Sequence, residues 1–347
     1  MTIQTGNLVR GLTAAIIGTT ALIANISAAP AQETTWRFDS LVVESRPEAK
    51  HFAAFAGRVF EKSGGRLKID VYYGKALGIN EPEHLRAIKS GAVEMIGLIA
   101  SLYSRDAPEL SVILPQGVVK NNQEMAAVAP VLQDLLTEAF AKWDAVVVGY
   151  AYPPFHNISV VCKDNIDNLE QLGPKKLRVW AQEQVASFDK LGVAAQIMSQ
   201  NDIYVSMQTG VIDCALYGVP TIPTISLQEV AHHASALHAF SAIPFALAVN
   251  KTAWEKLPDD LKAVVKEAGE WITQKSLDEA ENSTLETDTA KELVSQGFTI
   301  SKEGFPDPDR QAYYEAASGM WAEKADQLGP QTEQYRDAVI EKLEDVR

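Results

Sequence analysis

Two spacings of apolar residues take turns along this chain. Leu67–Tyr73 alternates strictly, with Leu67, Ile69 and Val71 on one side and Lys68, Asp70 and Tyr72 on the other. That period of two predicts a half-buried strand. Glu48–Ser63 repeats its apolar residues at helical spacing instead, with Phe52, Phe55, Val59 and Phe60 on one face. Gly64-Gly65 ends that helix, as helix C-termini prefer. Strands are also expected at Trp36–Val43, Ala145–Tyr150, Asn157–Cys162, Leu177–Trp180 and Ile212–Tyr217. Val93–Ile99 is a short apolar run of the kind found in buried parallel strands. Helices are expected at Glu81–Ser90, Gln123–Trp143, Gln182–Leu191 and Asn201–Thr209, and a short turn runs from Asn168 or Leu169 to Gly173-Pro174. Repeated strand–helix–strand order predicts α/β layers around mainly parallel sheets.

Pro258-Asp259-Asp260 opens the longest helical run, because proline fits a first turn and acids suit the positive end of the dipole. Apolar residues follow at Leu261, Val264, Val265, Ala268, Trp271 and Ile272, and the pattern extends towards Val294. Asp278–Thr289 is polar nearly all round, yet it lacks the proline and glycine of a linker. A continuous helix of that kind bridges two domains. A length of 347 residues agrees with two domains.

The N-terminus differs from the rest. Arg10 is followed by a stretch rich in Leu, Ile and Ala, and Ala29-Pro30-Ala31 supplies small residues at its end. That order predicts a cleavable secretory signal over residues 1–31. It contains Thr, Asn and Ser and is weak for a membrane span. A formal charge of −14 argues against nucleic acid, which selects basic faces. Cys162 and Cys214 are the two cysteines. They can pair in an oxidising compartment, but a core this large does not need the staple, so the pairing stays open. His232, His233 and His238 with Glu229 lack the His-Glu-x-x-His spacing of a zinc helix, and no Gly-x-Ser-x-Gly elbow, phosphate loop or dinucleotide fingerprint occurs. An enzyme, a metal site and a cofactor are therefore not expected.

Several segments resemble the DctP-type solute-binding proteins of TRAP (tripartite ATP-independent periplasmic) transporters. They are Phe55 to Tyr73 with Gly64-Gly65-Arg66-Leu67-Lys68-Ile69, Gly74 to Gly78, Ser90-Gly91-Ala92-Val93-Glu94-Met95, Leu177-Arg178-Val179, Met207-Gln208-Thr209-Gly210-Val211-Ile212-Asp213 and Trp254-Glu255-Lys256-Leu257-Pro258. The resemblance implies a two-lobed periplasmic binding protein fold (type II-like) with a long helix bridging both lobes. Lobe I would take 32–154 plus 243–283, and lobe II 155–242 plus 284–347. It also implies a monomeric periplasmic receptor that closes on a small carboxylate and serves the small and large TRAP membrane subunits. A sensor or an ATP-driven importer is the alternative partner, and a periplasmic hydrolase the remote one.

Arg178 is the leading site residue. The resemblance gives it the ligand's carboxylate, and guanidinium offers two parallel N–H donors matched to that group. Trp180, two residues on, shares its side of the strand. Tyr217 stands where the family commonly has an asparagine, so a phenol replaces an amide. This points away from C4-dicarboxylates and sialic acid, towards a smaller or more apolar acid, including aromatic or branched monocarboxylates. His156 and Phe155 lie where the chain should cross between lobes. Glu44, Ser101 and Tyr103 follow first-lobe strands, whose ends face the crevice in open α/β sheets.

Overall fold

In the computed structural model, residues 34–113, 117–239 and 244–347 are described; the expected signal segment, 1–31, lies outside them. The first half carries β1 (Thr34–Ser40), α1 (Pro47–Lys62), β2 (Leu67–Tyr73), α2 (His84–Ser90), β3 (Met95–Leu98), α3 (Asn122–Ala141), β4 (Ala145–Ala151), β5 (Ile158–Cys162), α4 (Leu169–Leu172) and β6 (Leu177–Val179). Then come α5 (Gln182–Lys190), β7 (Ala195–Ile197), α6 (Ile203–Gln208), β8 (Cys214–Gly218), β9 (His233–His238), β10 (Phe245–Asn250), α7 (Lys251–Glu255), α8 (Asp259–Glu281), α9 (Leu285–Ser295), β11 (Thr299–Ile300), α10 (Asp307–Leu328) and α11 (Pro330–Glu344).

The strands form two sheets, ordered β2-β1-β3-β10-β4 and β11-β9-β5-β8-β6-β7. The sheets are mixed rather than mainly parallel. In the first, β1 runs parallel to β2 and β3, but β10 is antiparallel to β3 and β4. In the second, β5 is antiparallel to β8 and β9. The exceptions share a cause, since the chain reaches β5 by leaving the first sheet at β4 and reaches β10 by leaving the second at β9. Each crossing strand is delivered against the direction of its new neighbours. Cys162 and Cys214 are register partners on β5 and β8 and form a disulfide, settling the pairing that the sequence left open.

The edge strand β4 is sealed by α8. Gly149 and Gly269 let strand and helix touch backbone to backbone: a Cβ on Gly269 would lie 1.7 Å from the Val148 carbonyl oxygen. Thr273 and Ser276, four and seven residues on, present hydroxyls to the same edge. Tyr150 N–H donates to Thr273 Oγ1 at 2.8 Å, and Tyr152 N–H to Ser276 Oγ at 3.0 Å. The helix thus supplies the partners a strand edge otherwise lacks.

The long helical run is broken. It stops at Glu281 and restarts at Leu285, so the expected single bridging helix is two helices, with α8 packed on β4 and α9 beside the residues after β8. Helix α10 is continuous between the two cores. Its Tyr313 and Ala317 join the apolar cluster of the second sheet, whereas Trp321 and Ala325 join Leu132, Leu136 and Phe140 on the first. Tyr335, Val339 and Leu343 of α11 also pack there, so the end of the 284–347 stretch packs with the first sheet. His233 and His238 lie on a strand, not a helix. His233 is hydrogen-bonded to Asp167 at 2.8 Å, and His238 stacks on Tyr313.

Candidate functional site

The strand ends of both sheets meet across a cavity of about 120 Å³. Residues at or just beyond the C-terminal ends of β1, β3, β6 and β8 line it, namely Leu41, Ile99, Trp180 and Gly218. The first residues of the antiparallel strands β5 and β10, Ile158 and Phe245, reach the same edge. This is where open α/β sheets bind ligands. Loops from the two sheets touch around it. Ser45 Oγ donates to the Thr224 carbonyl at 3.2 Å, Gln200 Nε2 to the Leu41 carbonyl at 3.3 Å and Ser199 Oγ to Glu81 Oε1 at 2.7 Å.

Two arginines enter the cavity from opposite sides, in opposite electrostatic states. Arg46, at the start of α1, is held by Glu48 through two bonds, Nε to Oε2 at 3.0 Å and Nη2 to Oε1 at 2.6 Å. Both side chains are largely buried. Burial disfavours each charge, but the pairing outweighs it, so the Arg46 guanidinium is held above its ordinary range and the Glu48 carboxyl below its own. Arg46 Nη1 also donates to the Tyr217 hydroxyl at 3.4 Å.

Arg178, on β6, is 2% exposed. Its Nε donates to the Met198 carbonyl at 2.8 Å and its Nη1 to the Leu216 carbonyl at 3.3 Å. Among the described residues it makes no ion pair. Burial pulls the guanidinium down to about 10; Tyr217 and Glu81 oppose that shift, and Arg46 adds to it. Backbone carbonyls therefore aim a positive charge that no carboxylate of the described residues neutralises by contact. The Trp180 ring lies 5.8 Å from the guanidinium carbon, within cation–π range.

His156 sits in the crossing between β4 and β5. Its Nδ1 lies 2.6 Å from the Pro154 carbonyl oxygen, which can only accept, so Nδ1 carries the proton. Burial lowers its pKa, and Arg46 adds to that. The ring is therefore neutral near pH 7, with Nε2 an acceptor. It lies against Gly218, where a Cβ would stand 2.2 Å from Nε2; only glycine leaves that nitrogen room.

The structure thus brings Arg178, Trp180, Tyr217 and His156 to one wall. Four other expected residues stand elsewhere. Phe155 is buried in the apolar cluster of the first sheet, next to the wall but not on it. Tyr103 and Ser101 fold back under the first sheet in a short 3₁₀ turn after β3. Tyr103 OH bonds His84 Nδ1 at 3.0 Å, and Asp39 lies 3.1 Å from the other ring nitrogen. Glu44 is exposed to solvent. After β3 the wall is built by Ile99 and Leu102, and after β1 by Leu41, Val42, Arg46 and Glu48. The sequence reading missed Arg46, Glu48, Glu81 and Gln200. Arg46 carried one usable signal, since a cation at the positive end of a helix dipole opposes the usual preference.

Two lobes, strand ends facing a shared cleft and an unneutralised arginine inside it define a two-lobed solute-binding protein. A family model described as bacterial extracellular solute-binding protein, family 7 (DctP), matches residues 38–327, and the chain belongs to that family. It is 25% identical to the C4-dicarboxylate-binding periplasmic protein DctP of Rhodobacter capsulatus, covering 94% of this chain and 97% of that one. A solute-binding protein of Chromohalobacter salexigens is 26% identical over 69% of this chain and 71% of its own length. Among solved structures, the extracytoplasmic solute receptor DctP7 of Bordetella pertussis, which binds pyroglutamic acid, superposes with a TM-score of 0.80 at 19% identity, covering 88% of this chain and 99% of that one. A TRAP periplasmic solute-binding protein of Chromohalobacter salexigens with bound D-glucuronate gives 0.76 at 22%, covering 88% and 99%. Family members are periplasmic receptors for small organic acids that work with membrane subunits; they are not enzymes.

Proposed function

We propose that this protein is the receptor of a TRAP-type importer, taking a compact monocarboxylate into the cleft with its carboxylate on Arg178. The observation that carries the reading is the state of that arginine: buried, aimed by two carbonyls and, among the described residues, without a contacting acid. A buried charge without a counter-ion is costly, and a ligand carboxylate removes the cost while forming charge-assisted bonds. Leu41, Val42, Ile99, Leu102, Trp180 and Phe245 supply apolar wall, and the cavity is small. Tyr217 fills space an asparagine would leave open. These features favour a compact skeleton over an extended dicarboxylate. The contacts that tie Ser45, Gln200 and Ser199 to the opposite loops would form on closure, a hinge movement of the binding-protein kind. The closed form would then be read by the membrane subunits, after export has removed residues 1–31.

The test is ligand-induced stabilisation against a library of organic acids, using protein unfolded and refolded to strip any trapped ligand. Binding at a hundredfold excess over Kd raises stability by about 2.7 kcal/mol. One group of carboxylates should shift the wild type strongly, and Arg178→Ala should lose that shift while remaining folded. Normal binding by Arg178→Ala would remove the arginine from the site.

A further inference from the structure

We infer that the ligand carries, besides its carboxylate, an N–H donor that meets Glu81. The inference rests on the Arg178 reading and extends it to the opposite wall. Four charged side chains line the cavity: Arg46, Glu48, Glu81 and Arg178. Arg46 and Glu48 neutralise each other through two bonds. That leaves one cation, Arg178, and one anion, Glu81, neither in an ion pair among the described residues. They stand on opposite sides of the cavity, Arg178 on strand β6 of the second sheet and Glu81 in the 3₁₀ turn before α2 on the first-sheet side. Glu81 Oε1 accepts from Ser199 Oγ at 2.7 Å, which fixes the carboxylate at the wall, and among the described residues Oε2 forms no hydrogen bond.

A carboxylate with only hydrocarbon behind it would satisfy Arg178 but bring a second negative charge towards Glu81. An acid with an amine or amide N–H answers both. Its carboxylate meets the donor wall and its N–H meets the acceptor wall. Such a ligand also ties the two sheets' loops together, adding to the Ser199–Glu81 contact already present. Two sources share this chemistry, a zwitterionic amino acid with a cationic nitrogen and a lactam acid with a neutral one.

The experiment uses three five-membered-ring acids, namely L-proline (cationic N–H), L-pyroglutamate (neutral N–H beside a ring carbonyl) and cyclopentanecarboxylate (CH₂ in place of the N–H of proline). Dissociation constants are measured for wild type, Glu81→Gln, Glu81→Ala and Arg178→Ala. The wild type should prefer one or both N–H acids over the carbocycle by about tenfold or more, as a hydrogen bond to a charged group implies. Glu81→Ala should erase that preference, leaving the carbocycle bound as well as before or better. Glu81→Gln should weaken proline but spare pyroglutamate if the nitrogen is neutral in the native ligand. Equal binding of all three by the wild type, binding of none while another nitrogen-free acid binds through Arg178, or an unchanged preference in Glu81→Ala would overturn the inference alone. Wild-type-like binding by Arg178→Ala, or no acid binding at all, would bring down the proposed function first and the inference with it.

Discussion

The two sides of the cleft treat a buried arginine in opposite ways. On the first-sheet side, Arg46 is closed into a bidentate pair with Glu48. On the second-sheet side, Arg178 donates to two carbonyl oxygens and has no contacting acid among the described residues. Both are enclosed, so burial alone does not tell them apart. The difference is where the compensating charge comes from. Arg46 carries its counter-ion two residues along its own chain and is complete without a ligand. Arg178 is complete only when something anionic arrives. A paired arginine belongs to the architecture, and an unpaired one, aimed by the backbone, belongs to recognition.

The sharpest way to break that comparison is to remove the counter-ion on the architectural side. Glu48→Ala leaves Arg46 buried and uncompensated, and should cost about 3–5 kcal/mol of unfolding free energy, as breaking a buried pair does. Denaturant unfolding of the ligand-free protein measures it. Arg178→Met removes a buried cation that no contacting acid balances among the described residues, so it should leave ligand-free stability unchanged or raised. Its loss appears in binding instead, about 2–5 kcal/mol, the usual cost of truncating one side of a buried charge pair. Equal destabilisation by the two changes would erase the distinction.

Much of this organisation was legible in the chain because it is local. Period-two alternation at Leu67–Tyr73 and helical spacing at Phe52, Phe55 and Val59 each report on a few neighbours, and the elements formed where those patterns lie. Glycines at 91, 192 and 210 marked element ends, and each has positive φ. What was not legible is relational. Nothing local tells that Gly269 meets Val148, or that β10 must run against β3 after a crossing. The break in the long helix fell at Asn282–Thr284, in a stretch whose polarity read as a bridge. At the site, Arg178 and Tyr217 were reached through the family resemblance, Trp180 through its spacing from Arg178, and His156 through its place in a crossing between lobes. Glu81 and Glu48 were not, because a helix-opening glutamate looks like dipole capping until its cavity is visible. Tyr103 and Ser101 failed for a related reason: the chain after β3 turns inward, and Tyr103 is taken by His84.

Glu183 offers a smaller test of the same idea, a buried carboxyl on the second-sheet side that makes no ion pair among the described residues. It lies in the first turn of α5, 5% exposed, and its Oε2 has no hydrogen-bond partner among the described residues. Burial pushes its carboxyl up to about 8. The folded state therefore keeps a proton that the unfolded chain releases near its ordinary value of 4.5. The folded state binds more protons than the unfolded chain across that window, so stability falls as pH rises from about 4.5 to 8, by up to about 1.4 kcal/mol per pH unit. His238, which burial pulls down to about 4, acts in the other direction below its ordinary 6.5, where acid favours the unfolded chain. Glu183→Gln should flatten the decline between pH 6.5 and 8 and steepen the rise that His238 gives between about 4.5 and 6.5, where the two had opposed each other. An unchanged slope in chemical denaturation would show that Glu183 is solvated or paired in solution.

The smallest expected effect is at Tyr217, which stands between the two arginines. Its hydroxyl accepts a long bond from Arg46 at 3.4 Å, and its ring closes the cavity beside Arg178. Tyr217→Phe keeps the ring and deletes the oxygen. Arg46 keeps both bonds to Glu48, so stability should fall by only about 0.5–1.5 kcal/mol, the net value of one hydrogen bond. Binding should change little, because the phenyl group still fills the space that limits ligand size. Tyr217→Asn deletes the ring instead, and should open the cavity to bulkier and more polar acids while weakening the compact ones. If Phe altered selectivity as much as Asn, the hydroxyl itself would be reading the ligand, and Tyr217 would belong with Arg178 on the recognition side rather than serving as the wall between the two.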